Sequence, residues 1–88
     1  MYKIVNVTDK EDNIKQGFID ELKSVHPNLS GEILYPELTE VGGHFCFVWN
    51  DDSDKMLRTS TIEEYENNGD TVKVVTRNSV YYLEKENN

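Results

Sequence analysis

With 88 residues and a formal net charge of −8, from 17 acidic against 9 basic side chains, this chain is too short for two cores and poorly suited to holding phosphates. A domain of this size buries roughly 60–65% of the surface its unfolded chain exposes, enough for one modest core but not for a deep substrate cavity beside it. Nucleic acids and anionic membrane surfaces both attract clustered Lys and Arg, so the charge balance argues against direct binding to either.

The single cysteine, Cys46, allows no intrachain disulfide and does not indicate an oxidising compartment. Met1 to Asn6 lacks the apolar core of a signal peptide, and no apolar run is long enough to span a bilayer. A cytoplasmic protein is expected. Asn, Asp, Glu, Lys, Ile and Tyr are abundant while Ala is absent. That bias is typical of AT-rich coding DNA, as in low-GC bacteria and their mobile elements, and carries no chemistry. The negative charge has two readings. The simpler is solubility; the sharper is imitation of DNA phosphates in the basic groove of a DNA-binding protein.

Tyr2 to Val7 is a short β-prone run. Thr8-Asp9-Lys10-Glu11 has the spelling of a capping box, with Thr8 and Glu11 satisfying each other's backbone N–H groups. It predicts a helix from Asp9 to Val25, with Asp9, Glu11 and Asp12 at the positive end of its dipole. The apolar stripe would be Ile14, Phe18, Leu22 and Val25, with Ile19 on its flank. Gly17 costs about 1 kcal/mol against Ala in a helix interior, so either the helix is marginal there or something packs close to it. Pro27 ends the helix, because the residue before proline avoids the α region.

Glu32 to Tyr35 reads as a strand closed by Pro36, Glu37 to Val41 as a loop or edge strand, and Gly42-Gly43 as a turn or bulge. His44-Phe45-Cys46-Phe47-Val48-Trp49 is the most apolar run and reads as a central strand, with Phe45, Phe47 and Trp49 on its buried face. His44 and Cys46 share the other face, the spacing of a metal pair or a Cys–His dyad. With two histidines and one cysteine in all, a zinc site would need carboxylates, and a buried, inert thiol is the simpler reading. Asn50 to Asp54 fails as a calcium loop, because Lys55 stands where Gly is required and Thr61 where a bidentate Glu is required. It reads as a solvated turn. No serine has a nucleophile-elbow context and no glycine-rich phosphate loop is present. Neither cofactor, metal nor catalytic machinery is expected.

The last third of the chain is a meander. Asn68-Gly69 is the strongest short-range hairpin signal, since a type I′ turn needs positive φ at both central residues. Arg77-Asn78 reads as a second two-residue turn. Tyr65 then pairs with Val72, Val75 with Val80, and Val74 with Tyr81. One face carries Tyr65, Val72, Val74, Tyr81 and Leu83 as core. The other mixes Ile62, Val75, Val80 and Tyr82 with Glu64, Lys73 and Glu84, which is too apolar to face solvent entirely. Either the sheet curls into a barrel, or this face meets a protein partner or a second copy. Ile62, Glu63, Glu64, Glu66, Asp70 and Tyr82 are the candidate contact residues, Tyr82 first because Tyr is enriched at interface hot spots. The acids also serve as edge protection. Glu84 to Asn88 reads as a disordered tail.

Arg58-Thr59-Ser60-Thr61-Ile62 followed by Val74-Val75-Thr76-Arg77-Asn78-Ser79-Val80-Tyr81 resembles a C-terminal pattern of small uncharacterised proteins from bacteriophages and Gram-positive bacteria. The resemblance covers residues 58–81, is mostly hairpin grammar, and implies an accessory or host-interaction protein rather than an activity. The expected fold is α+β: one N-terminal amphipathic helix on an antiparallel sheet of about five strands, flat or curled like a small SH3-type barrel. The expected function is a non-catalytic protein-binding module, with a DNA-mimic inhibitor as the alternative.

Overall fold

The computed structural model describes residues 1–86. Its elements are β1 (Tyr2–Thr8), α1 (Gln16–Val25), β2 (Ser30–Ile33), a 3₁₀ turn (Pro36–Leu38), β3 (His44–Trp49), β4 (Met56–Asn67), β5 (Thr71–Thr76) and β6 (Val80–Lys85). The strands form a closed antiparallel barrel in sequence order, with β6 returning to pair with β1. The α+β class and the curled sheet hold, with two corrections. The helix follows the first strand instead of leading the chain, and the described residues form six strands rather than about five.

Alternation builds the interior. Phe45 and Phe47 are completely buried, with Trp49 beside them, and Ile4, Val7, Ile33, Val72, Val74 and Leu83 fill the rest. Phe47 meets Trp49 edge-on at 5.4 Å, the arrangement favoured by ring quadrupoles. Gly31 is obligatory at the crossing of β2 and β3, because a Cβ there would stand 2.1 Å from the Val48 carbonyl oxygen.

The barrel is weakest between β1 and β2, which pair only through Tyr2–Gly31 and Lys3–Ser30. Beyond that point the Lys15 N–H, leading into α1, bonds the Val7 carbonyl at 2.9 Å. The helix buries Ile19 and packs Phe18 and Leu22 against the core, with Phe18 edge-on to Tyr81 at 6.4 Å.

The helix starts seven residues later than the capping box predicts. Thr8 ends β1 and its hydroxyl donates to the Asp9 carbonyl. The Asp9 carboxylate instead accepts the backbone N–H groups of Glu11 and Asn13, at 2.8 and 3.0 Å. An Asx-type turn thus outcompetes the first helical turn, as short polar side chains do. These bonds, Asn13 first, hold the Asp9 carboxyl below its ordinary value of 3.8. The shorter helix changes its buried stripe: Ile14 lies outside it and is exposed, Val25 is exposed, and Ile19 from the flank is buried. Gly17 falls in the first turn with open space where a Cβ would be, so no close packing requires it.

Glu37 to Val41 forms no strand. Tyr35 adopts a left-handed backbone (φ 50°) ahead of Pro36, and the 3₁₀ turn follows. In the meander, the Arg77-Asn78 turn and the Val75–Val80 and Val74–Tyr81 pairs are as expected, but Tyr65 pairs with Val74 and Asn67 with Val72. The reason is side-chain capture of the turn. The Asn68 carboxamide oxygen accepts the N–H groups of Asp70 and Thr71, and that of Asn67 accepts the Gly69 N–H. Only Gly69 of the pair takes positive φ, so the turn is wider than type I′. A two-residue shift conserves parity, so every side chain beyond it keeps its face.

Parity does change at Glu63. Ile62 pairs with Thr76 but Glu64 with Val75, leaving Glu63 as a bulge. The bulge rotates Ile62 into the core, where it is 1% exposed. Val80, also expected on the outer face, is buried too. Glu84 and Lys85 belong to β6 rather than to a tail, and the Glu86 N–H bonds the Met1 carbonyl; Asn87 and Asn88 lie outside the described residues.

Candidate outer-face contact site

Closure of the barrel puts β1, β6, β5 and β4 side by side, so that one row of residues crosses four strands. Asn6 is in register with Tyr82, Tyr82 with Lys73, and Lys73 with Glu66. These four line a groove of about 470 Å³ on the outside of the barrel, with Val5 and Glu84 at its sides. Val5 is there because β1 bulges between Ile4 and Asn6. The bulge turns an apolar side chain outward, to 46% exposure.

Tyr82 is half-buried at the centre of this row. The Lys73 ammonium lies 5.9 Å from its ring centroid, within cation–π range, which at exposed sites is worth about 0.5–1 kcal/mol. Glu66 and Glu84 flank the pair, and Glu64 stands two pairs further along β4, opposite Val75. The site is an aromatic platform with one cation and a carboxylate rim.

The six candidate residues are therefore distributed. Tyr82 and Glu66 meet in the groove, and Glu64 extends its rim. Glu63, on the bulge, pairs with Lys10 of the β1–α1 connection. Asp70 sits in the β4–β5 turn, where its carbonyl accepts the Lys85 N–H. Ile62 is a core residue and is withdrawn from the contact surface. Lys73 and Glu84 lie on the outer face that alternation assigns them, while Val5 and Asn6 join the groove from β1 without any expectation from the sequence. The β1–β6 pairing that brings Val5 and Asn6 there spans most of the chain and has no local signal.

His44 and Cys46 do not form a dyad. The His44 Nδ1 lies 2.9 Å from the Thr59 carbonyl oxygen, and a register shift between His44 and Cys46 separates their partners on β4. Thr59 anchors that shift, its hydroxyl accepting the Phe45 N–H and donating to the Ser60 carbonyl. Cys46 is partly exposed on the outer face, not buried as expected. Among the described residues no cluster of three or more His, Cys, Asp or Glu side chains could hold a metal ion.

A second arrangement had no sequence signal. His26, buried at the end of α1, stacks on Trp49 at 4.1 Å with nearly parallel rings, and its Nδ1 lies 2.6 Å from the Asp51 carboxylate. It ties the helix to the β3–β4 loop and consumes one of the acids of the Asn50–Asp54 run. Every other buried polar side chain among the described residues also has a partner, so these groups serve the fold.

No family model, curated protein or solved structure matches this chain. No helix among the described residues is long and apolar enough to cross a membrane.

Proposed function

We propose that this chain is a small, non-catalytic protein-binding module that contacts its partner through the outer-face groove centred on Tyr82. The observation that carries the reading is the Asn6–Tyr82–Lys73–Glu66 row: an amphipathic aromatic ring presented on a rigid four-strand surface with carboxylates on either side. A ring of this kind immobilises little side-chain entropy on binding and is a frequent hot spot. The partner this surface suits has an apolar patch with Lys or Arg at its margin. The resemblance of the C-terminal hairpins suggests an accessory role acting on a host protein.

The DNA-mimic reading draws less support. Lys10 neutralises Glu63, and Lys73 stands in register beside Glu66, so the acidic run is interrupted by cations. The two readings part in one experiment. Tagged protein is used to capture partners from nuclease-treated lysate of a low-GC Gram-positive host at low and high salt. A contact built on Tyr82 survives moderate salt and is lost in Tyr82→Ser; truncating a hot-spot ring costs about 2 kcal/mol or more, at least a 30-fold loss of affinity. Capture that DNA displaces and salt abolishes steeply, with Tyr82→Ser unaffected, would instead support mimicry.

A further inference from the structure

The loop from Leu34 to Gly43 exposes more apolar surface than any other segment: Tyr35, Leu38 and Val41 are 62, 70 and 61% exposed. It contains Glu37 and Glu40 and no cation. It is also held in place. The Leu34 N–H bonds the Cys46 carbonyl, and Gly42 and Gly43 exchange hydrogen bonds with Ile62 across β4. Tyr35 is kept in its left-handed conformation by donation from the Leu38 N–H and the Thr39 hydroxyl to its carbonyl. A bulky residue ahead of proline rarely adopts that backbone, and strain maintained in an ordered loop is a feature of binding segments.

The same chain carries the complementary surface. Where β1 parts from β2, a groove of about 300 Å³ opens between β1 and α1, lined by Lys3, Val5, Ile19, Lys23, Pro27 and Leu29 among others. Lys3 and Lys23 are its only charged lining residues, in a chain with nearly twice as many acids as bases. None of Lys3, Lys23, Glu37 or Glu40 belongs to an ion pair among the described residues. The loop cannot fill the groove of its own chain. It leaves the far end of β2, about 13 Å from Leu29 at strand spacing, and is bonded to β4.

We infer that the Tyr35–Val41 loop of one copy docks into the Lys3–Lys23 groove of a second, Leu38 and Val41 on its apolar floor and Glu37 and Glu40 against the two ammonium groups. The two surfaces differ, so the contact is head-to-tail and propagates into short chains or a ring rather than a two-fold dimer. Its charged pairs act over a few ångströms, whereas the net repulsion between acidic bodies is screened beyond about 8 Å at physiological salt.

Sedimentation velocity over increasing protein concentration tests this. Wild-type protein is expected to shift to larger species as concentration approaches about 1 mM, the range of a weak contact. K3E/K23E and E37K/E40K should each stay monomeric, and mixing them should restore association, because each then offers the other a matched loop and groove. That restoration also establishes that both variants are folded. A wild-type protein that remains monomeric, association that persists in both charge-reversed variants, or a mixture that stays monomeric would overturn the inference. Association lost in Tyr82→Ser but kept in both charge-reversed variants would assign self-contact to the outer groove instead.

Discussion

From Met56 to Lys85 each strand pairs with the next along the chain through a short turn; from Met1 to Gly43 the structure is assembled from distant partners. β1 lies against β6 at the other end of the sequence, and α1 fills the place where β2 falls away from β1. The first region is specified by alternation and turn chemistry within about ten residues. The second depends on closure of the barrel. In the first region the turn shift leaves every face unchanged and only the Glu63 bulge and the buried Val80 depart from simple alternation, whereas in the second the late helix start changes the helix's buried stripe and closure of the barrel brings β1 beside β6.

The largest predicted effect sits where the two regions touch. Ile62→Ser should cost about 4 kcal/mol, because it removes a fully buried side chain at the bulge and leaves a hydroxyl in its place. Urea unfolding measures it directly, and a loss below about 1 kcal/mol would mean that Ile62 faces outward. Gly31→Ala follows, at about 3 kcal/mol. The added methyl meets backbone on β3 that cannot move away without breaking the β2–β3 pairing.

His26→Ala should cost about 2 kcal/mol through the lost stacking on Trp49 and the lost bond to Asp51. Trp49 is the chain's single tryptophan, so its fluorescence reports the change in the folded state while a thermal scan reports the destabilisation. An unchanged emission spectrum would show that the stack does not persist in solution. The smallest effect is read as pH dependence. The folded-state pKa of Asp9 is lowered by the hydrogen bonds it accepts, so its contribution is present above its unfolded value of 3.8 and disappears as pH falls through the lowered folded value. Asp9→Asn should flatten that acid limb and leave stability near neutrality little changed. An unaltered acid limb would count against the Asx turn that displaces the start of the helix.

How much was legible follows from the same division. The strands around Phe45–Trp49 and the two C-terminal hairpins can be read from alternation and from Asn, Gly and Ser placement. At Asn68 a carboxamide caps a wider turn as readily as Asn-Gly forms a tight one, and because the resulting register shift is even, no side chain changes face. The bulge at Glu63 was invisible, since nothing in Thr61-Ile62-Glu63-Glu64 marks an extra residue, and it moved Ile62 across the barrel wall. The helix start is not legible because Thr8 and Asp9 can each organise the chain, and the Asx turn at Asp9 is reinforced by backbone bonds from Asp9 to Asn13 and from Lys15 to Val7 that the local spelling does not announce. The meander alone puts Tyr82 and Glu66 near one another on the sheet, and both line the outer groove. Val5 and Asn6 reach the groove only through closure.

The meander divides into an inner face containing Ile62 and an outer face containing the half-buried Tyr82. Parallel urea titrations of Tyr82→Ser and Ile62→Ser against wild type test this division most directly. The prediction is a Tyr82→Ser midpoint within about 1 kcal/mol of wild type, beside a loss several-fold larger for Ile62→Ser. Equal losses, or a larger loss for Tyr82→Ser, would contradict both the barrel register and the groove built on it.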